Sequence, residues 1–179
     1  MIEKSMNIRD KITIIKGNIV EQDTEAIVNA ANTHLQLGSG VAGAIRNADD
    51  GTIQKECNRI GQVQLGDAAI TSGGATGIPW VIHAAGMHMG GSASVDSVRN
   101  SVINSLSLAK NREIKSISFP AIGTGVGGLS LDACARVSIE EARNHLAGET
   151  TLKEIRFVLF DDKGYKSFTK IFNDIMPEI

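Results

Sequence analysis

The chain is poor in cysteine. Two are present among 179 residues, Cys57 and Cys134, and no C-x-x-C pair or Cys/His cluster occurs. Disulfide frameworks and thiolate metal sites need closely patterned cysteines, so the sequence predicts neither. We expect both residues to be free thiols within helices, with no catalytic or bridging role, and we expect no metal and no cofactor.

Long apolar runs and an excess of one charge are also missing. No segment approaches the ~18 apolar residues of a membrane span, and the N-terminus lacks the apolar core of a signal peptide. The 18 Lys and Arg residues nearly balance 20 Asp and Glu residues, for a net charge of −2. Bulk electrostatic capture of DNA or RNA is therefore not expected. We predict one domain over residues 1–179, cytoplasmic and without a membrane partner.

Short apolar segments alternate with helical stripes along most of the chain. Predicted strands cover residues 12–16, 26–28, 68–70, 80–85, 117–119 and 155–160. Helices are predicted over about 41–60, with an interruption at 49–51, and from the stripes that begin at Val95, Leu131 and Tyr165. This alternation predicts an α/β protein, a three-layer α/β/α sandwich with a central mixed, mostly parallel sheet.

The most informative stretch is Asn-Ala-Ala-Asn followed by a glycine loop. Asn29 and Asn32 close a buried strand, where amide side chains can read sugar hydroxyls or hold a tight loop. Gly38, Gly40 and Gly43 then precede a predicted helix. Glycines let backbone N–H groups approach a ligand, and a helix N-terminus favours negative charge. We therefore expect a phosphorylated sugar or a nucleotide.

A second glycine loop follows the strand at 117–119. Gly123, Gly125 and Gly128 repeat the G-x-G-x-x-G spacing of the first loop. A nicotinamide site requires an acidic residue at the next strand end, but after the second loop Asp161 and Asp162 come more than thirty residues on, and the first loop has no such partner. A Rossmann dehydrogenase therefore fits poorly. Two such loops at strand ends predict a cleft that grips a diphosphate from both sides. The alternative is that each loop is only a strand-to-helix turn.

Together these motifs resemble the macro domains, a family that binds ADP-ribose. The likeness covers nearly the whole chain, and Gly-Thr-Gly-Val-Gly-Gly in the second loop is similar to small stand-alone prokaryotic members. The resemblance implies that Asn18 and the Ile19 backbone face adenine, and that Phe160 covers the ring. It implies that Asn32 reads the distal ribose and that both glycine loops hold the diphosphate through N–H groups. The ligand-binding residues implied are Asn18, Ile19, Asn29, Asn32, Gly38, Gly40, Val41, Ala42, Gly123, Thr124, Gly125, Val126, Gly127 and Phe160.

Three positions depart from the family pattern. Asn18 stands where members usually have Asp, which accepts a hydrogen bond from the adenine amine. An Asn carbonyl can accept the same bond without charge, so we expect weaker binding or looser base selectivity. Ala42 stands where MacroD-type hydrolases carry an Asp that orients or activates water. Gly127 stands where many members have an aromatic residue near the distal ribose.

The sequence leaves catalysis open. Neither glycine loop contains Asp, Glu, Lys, Cys or His, so Asn32, with a ligand phosphate, is the candidate for positioning water. Three functions remain: a reader of ADP-ribose or ADP-ribosylated proteins, a hydrolase of ADP-ribosyl or O-acetyl-ADP-ribose bonds, and a nucleotide- or nucleic-acid-binding module. The near-neutral charge argues against nucleic acid. We expect His83 to be a buried structural histidine, and His34 and His88 to lie in loops.

Overall fold

The computed structural model describes residues 6–178. The strands are β1 (Ile12–Lys16), β2 (Ala26–Asn32), β3 (Ala68–Ser72), β4 (Trp80–Met87), β5 (Ser116–Phe119) and β6 (Glu154–Leu159). The α-helices are α1 (Gly40–Ala48), α2 (Thr52–Ile60), α3 (Val95–Asn111), α4 (Leu131–Ala147) and α5 (Asp162–Ile175). Short 3-10 turns lie at Ile8–Lys11, Ile19–Glu21 and Gly74–Thr76. Among the described residues, no helix is both long and apolar enough to cross a membrane.

The strands form one sheet in the order β1-β6-β5-β2-β4-β3. Every neighbouring pair is parallel except the edge pair β3 and β4, which is antiparallel. The sheet is therefore mixed and mostly parallel, as predicted. Its central strands are apolar on both sides because both faces are covered by helices.

Helices α1 and α2 pack on one face of the sheet, and α3, α4 and α5 pack on the other. Each layer has its own apolar cluster. The larger cluster includes Phe119, Phe157 and Phe168, with ring centroids 5.7 and 5.6 Å apart along the row. This arrangement confirms the three-layer sandwich, and the break at 49–51 does separate α1 from α2.

Three strands extend further at their carboxyl ends than the sequence pattern predicts. β2 continues to Asn32, β3 to Ser72 and β4 to Met87. The pairing of β2 with β4 sets Asn29 opposite His83 and Asn32 opposite Met87. The added residues of β2 include two alanines, which carry little of the β-branched signal that marks a strand. β6, in contrast, ends at Leu159, so Phe160 lies just beyond the sheet.

The cleft position follows from the direction in which the chain leaves two adjacent strands. From β2 it passes to α1 on one face, and from β5 to α4 on the other. Such a divergence opens a crevice at the carboxyl ends of the two strands, where α/β sheets bind ligands. Both glycine loops lie at this edge.

Candidate ligand-binding cleft

A cavity of about 730 Å³, here called the main cleft, opens at the carboxyl edge of the sheet. The turn at Asn18, the start of α1, the second glycine loop and Phe160 line it. A smaller cavity of about 280 Å³, the side pocket, adjoins it near Asn32 and Ala42. The two share the lining residues Ala30, Ser39, Met87 and Val126. The main cleft has the size of a typical small-molecule site.

The structure brings all but one of the implied ligand-binding residues to these two cavities. The main cleft is lined by Asn18, Ile19, Gly40, Val41, Gly123, Thr124, Gly125, Val126, Gly127 and Phe160. The side pocket is lined by Asn32, Gly38, Ala42 and Val126. Both glycine loops thus border the same two adjoining cavities.

The exception is Asn29, which the structure does not bring to either cavity. Its side chain is 2% exposed and belongs to the interior. Because side chains alternate along a strand, Asn29 points away from the sheet face that carries Ala30. Its Nδ2 lies 3.1 Å from His83 Nδ1 and is the donor of that bond. The expectation that Asn29 contacts a ligand is therefore not supported by its position.

His83 is the buried structural histidine that the sequence predicts. Since Asn29 donates to Nδ1, the ring proton lies on Nε2, which is 3.0 Å from Thr71 Oγ1 and 3.6 Å from Cys57 Sγ. Burial lowers the pKa of His83 to about 4. Burial also raises the pKa of both Cys57 and Cys134 to about 12, and both thiols are free. These groups are neutral at pH 7 and lie outside the cleft.

The first glycine loop presents backbone donors from a helix N-terminus. Helix α1 begins at Gly40, whose φ of +61° favours glycine, and Ser39 supplies no side-chain cap. The first N–H of this turn to find an acceptor is that of Gly43, 3.2 Å from Ser39 O. No described residue accepts from the N–H groups of Gly40, Val41 or Ala42. Free donors combined with the helix dipole favour an anion.

The second glycine loop presents its donors without a helix. Its carbonyls are tied to the protein: Gly123 O accepts from Leu129 N at 2.9 Å, and Gly127 O from Ala93 N at 2.8 Å. The N–H groups of residues 123–127 donate to no described residue. Helix α4 begins only at Leu131, where Ser130 caps it. Successive free N–H groups of this kind form a concave anion site.

Ionisable side chains are few in the cleft. Asp161 and Lys163 are the charged residues that line the main cleft, and Asp161 Oδ1 accepts from Gly164 N at 2.8 Å as the cap of α5. Among the described residues, no acid, base or thiol lines the side pocket. Within residues 6–178 no three His, Cys, Asp or Glu side chains are grouped as a metal site would require.

Asn32 is largely engaged in holding its own loop. Its Oδ1 accepts from His34 N at 3.0 Å and from Gln36 N at 3.4 Å, while Nδ2 donates to Gln36 O at 3.2 Å. An amide nitrogen carries two hydrogens, so one remains for a ligand. His34 and His88 are exposed in loops, as predicted, and neither lines a cavity.

Comparison with known proteins decides the family. The Macro domain family model matches residues 28–138. A macro domain-containing protein of Caldanaerobacter subterraneus is 40% identical over 173 residues, covering 93% of this chain and 98% of that protein. The chain belongs to the macro domain family. Both the resemblance and the fold expected from it are confirmed.

Two further similarities bear on what this macro domain does. The O-acetyl-ADP-ribose deacetylase 1 of Pantoea vagans is 36% identical over 169 residues, covering 91% of this chain and 99% of that protein. The crystal structure of the Trypanosoma brucei macrodomain in complex with ADP-ribose superposes with a TM-score of 0.83. It shares 30% identity and covers 89% of this chain and 68% of that chain.

The glycine at position 127 is required by the loop of this macro domain. A Cβ there would lie 2.6 Å from Gly123 O and 3.0 Å from the Ala93 Cβ. An aromatic residue would therefore need a different path for the loop. At this position the main cleft is lined by backbone alone.

Several lining residues were not predicted from the sequence, among them Met87, Lys163 and Gln36. Met87 lies at the end of β4, Lys163 in the first turn of α5, and Gln36 in the loop after β2. Each follows the carboxyl end of a parallel strand. The rule that ligands bind at that edge was the available signal, but it needs correct strand ends.

Proposed function

We propose that this macro domain binds ADP-ribose across the main cleft and the side pocket. The adenine occupies the end with Asn18 and Phe160, the diphosphate lies between the glycine loops, and the distal ribose reaches Asn32. The observation that carries this proposal is the pair of free N–H runs, at residues 40–42 and 123–127, both in the cleft lining. A diphosphate needs many donors, and these have no acceptor of their own.

The ends of the cleft support a ligand longer than a phosphate. Phe160 is 83% exposed, although it lines the cleft, and an exposed aromatic ring provides a surface for a base. At the other end, the side pocket offers the remaining amide hydrogen of Asn32. The Trypanosoma brucei macrodomain, crystallised in complex with ADP-ribose, provides independent support from a relative.

Calorimetric titration with ADP-ribose, AMP and ribose 5-phosphate tests the proposal. ADP-ribose is expected to bind most tightly, because it alone reaches the base surface, both N–H runs and the side pocket. AMP that bound as tightly as ADP-ribose would contradict a diphosphate site between the two loops.

We also propose ADP-ribosylated proteins as partners. The side pocket is lined by Gly90, Gly91 and Gln36, all exposed. A ribose whose far hydroxyl is linked to a protein therefore has an open exit. Capture of an ADP-ribosylated protein by the immobilised domain, released by free ADP-ribose but not by ribose 5-phosphate, is the expected result.

A second candidate function is hydrolysis of such bonds. It is favoured by the similarity to the Pantoea vagans O-acetyl-ADP-ribose deacetylase 1. With no acid or base lining the side pocket, water would be held by Asn32 and a ligand phosphate. The rate is therefore expected to be low. Release of acetate from O-acetyl-ADP-ribose, and of ADP-ribose from a modified protein, measures it directly.

Asn32→Ala tests the proposed role of the amide. It should lower kcat on the order of a hundredfold, and by more than it weakens binding, because a positioned hydrogen bond to water acts mainly in the transition state. Since Asn32 also holds residues 34–36, Asn32→Asp is the matched control. It keeps oxygens for both loop N–H groups but lacks the amide hydrogens. Turnover that survives both substitutions would assign catalysis to another group.

A further inference from the structure

Asn18 lies with Phe160 in the lining of the main cleft, at the end proposed for the base and here called the base end. The orientation of the Asn18 amide is fixed. It caps the 3-10 turn Ile19–Glu21, with Oδ1 accepting from Val20 N at 3.2 Å. Only the oxygen can accept that N–H, so the bond itself decides which side of the amide is oxygen. Nδ2, in contrast, is a donor that bonds to no described residue.

A second free donor follows Asn18 in the chain. The backbone N–H of Ile19 bonds to no described residue either, and Ile19 also lines the main cleft. An aspartate at position 18 could cap the turn with one oxygen and offer the other to an amine. Asparagine replaces that second oxygen with an NH₂ group. The base end therefore presents two neighbouring donors.

Purines differ in the edge that would meet two donors. Adenine offers the acceptor N7 beside its amine, which is a donor, whereas a 6-oxopurine offers two neighbouring acceptors, N7 and O6. Two donors match the second pattern and oppose the adenine amine. The exposed ring of Phe160 does not discriminate, because every base has a face that can stack. Asn18 and Ile19 are therefore the residues that can discriminate between bases.

We propose that Asn18 makes this cleft accept 6-oxopurine nucleotides, the hypoxanthine and guanine counterparts of ADP-ribose, at least as well as ADP-ribose itself. The proposal rests on the proposed function and concerns only the base end of that site. It assigns to Asn18 the choice of purine, while the N–H runs bind the diphosphate that all three ligands share.

Calorimetric titration of the wild type and of Asn18→Asp with ADP-ribose, IDP-ribose and GDP-ribose tests this assignment. The wild type should bind IDP-ribose or GDP-ribose at least as tightly as ADP-ribose. Asn18→Asp should restore an acceptor for the adenine amine and shift the ratio of dissociation constants towards adenine by about tenfold or more. A difference in affinity between IDP-ribose and GDP-ribose measures the effect of the 2-amino group of guanine alone.

Asn7→Asp is the matched control. Asn7 caps the 3-10 turn Ile8–Lys11 in the same way, with Oδ1 accepting from Arg9 N at 3.3 Å, and it does not line the cleft. The Asn7→Asp substitution should leave the ratios of the dissociation constants of the three ligands unchanged. A wild type that prefers ADP-ribose tenfold or more, or a ratio of dissociation constants that Asn18→Asp does not move, would overturn the inference and leave the proposed function intact. Failure of all three ligands to bind would overturn both.

Discussion

Asn29 and Asn32 are three residues apart in one strand, yet they belong to different parts of the molecule. Asn29 is buried against His83 on the face of β2 that α1 and α2 cover. Asn32 lies at the side pocket and holds the loop that leads to the first glycine run. The same amide thus serves the core in one position and the cleft in the other, because Asn29 lies within the strand and Asn32 at its end, beyond a register shift between Ala31 and Asn32.

The two sides also treat polar groups differently. In the interior, His83 and Cys57 are held neutral by burial, and the His83 ring is bonded on both nitrogens. In the cleft, two runs of backbone N–H groups find no acceptor within residues 6–178. Substitutions on the cleft side should therefore alter binding without altering stability, and substitutions in the interior should do the reverse.

Gly125→Glu should give the largest change in ligand affinity, and it should leave the stability of the protein unchanged. A Cβ at Gly125 meets no atom within 4 Å, and its φ lies outside the left-handed region, so the variant should fold. The carboxylate would stand beside the proposed diphosphate. Like-charge repulsion of several kcal/mol predicts a loss of affinity on the order of a hundredfold or more, measured by calorimetry with ADP-ribose.

Gly148→Glu is the matched control for that variant. A Cβ there is 3.6 Å from His145 O, an ordinary contact, and the position lies away from the cleft. Gly40→Glu is less informative because its φ of +61° would add backbone strain to the charge effect. Equal affinity of the Gly125→Glu and Gly148→Glu proteins, both with wild-type Tm, would place the ligand outside this cleft.

The pH dependence of unfolding tests the interior side. The pKa of His83 falls from 6.5 to about 4 on folding, so between these values the unfolded chain binds more protons than the folded chain. The free energy of unfolding should therefore decrease as pH is lowered from about 6.5 towards 4, by about 3 kcal/mol from this group. Urea unfolding at pH 7.5, 6 and 5 measures the slope.

His83→Gln should flatten that slope while keeping the affinity for ADP-ribose at pH 7.5. Burial lowers the pKa of His145 as well, and His145 remains in the variant. The difference between the two slopes therefore isolates His83. Equal pH slopes for the wild type and His83→Gln would show that His83 is not desolvated in the fold. A loss of affinity for ADP-ribose in His83→Gln would show that the interior hydrogen bonds of His83 affect the cleft.

The strands along the chain and both glycine loops could be predicted because their signals are local. Apolar runs mark the central strands, and glycine marks the turn at Gly40 where φ is positive. The side of β2 on which Asn29 lies could not be predicted, because that requires knowing that the strand continues through two alanines to Asn32. The free N–H groups could not be predicted either, because whether an N–H group is free depends on which carbonyl oxygens the folded chain brings within hydrogen-bond distance of it.

Phe160→Ala should give the smallest change in ligand affinity, and it should still distinguish the cleft from the interior. The ring is 83% exposed, so its removal should leave Tm unchanged, unlike removal of a buried phenylalanine such as Phe157. If the ring stacks on the base, affinity for ADP-ribose should fall by about 1 to 2 kcal/mol, because a single stacked base contributes in this range. Phe160→Trp retains a stacking surface and should restore the affinity, whereas Phe160→Leu should not. Affinity for ribose 5-phosphate, which has no base, should be the same in all of these proteins, so a change in that affinity would show that the ring acts through the structure of the cleft.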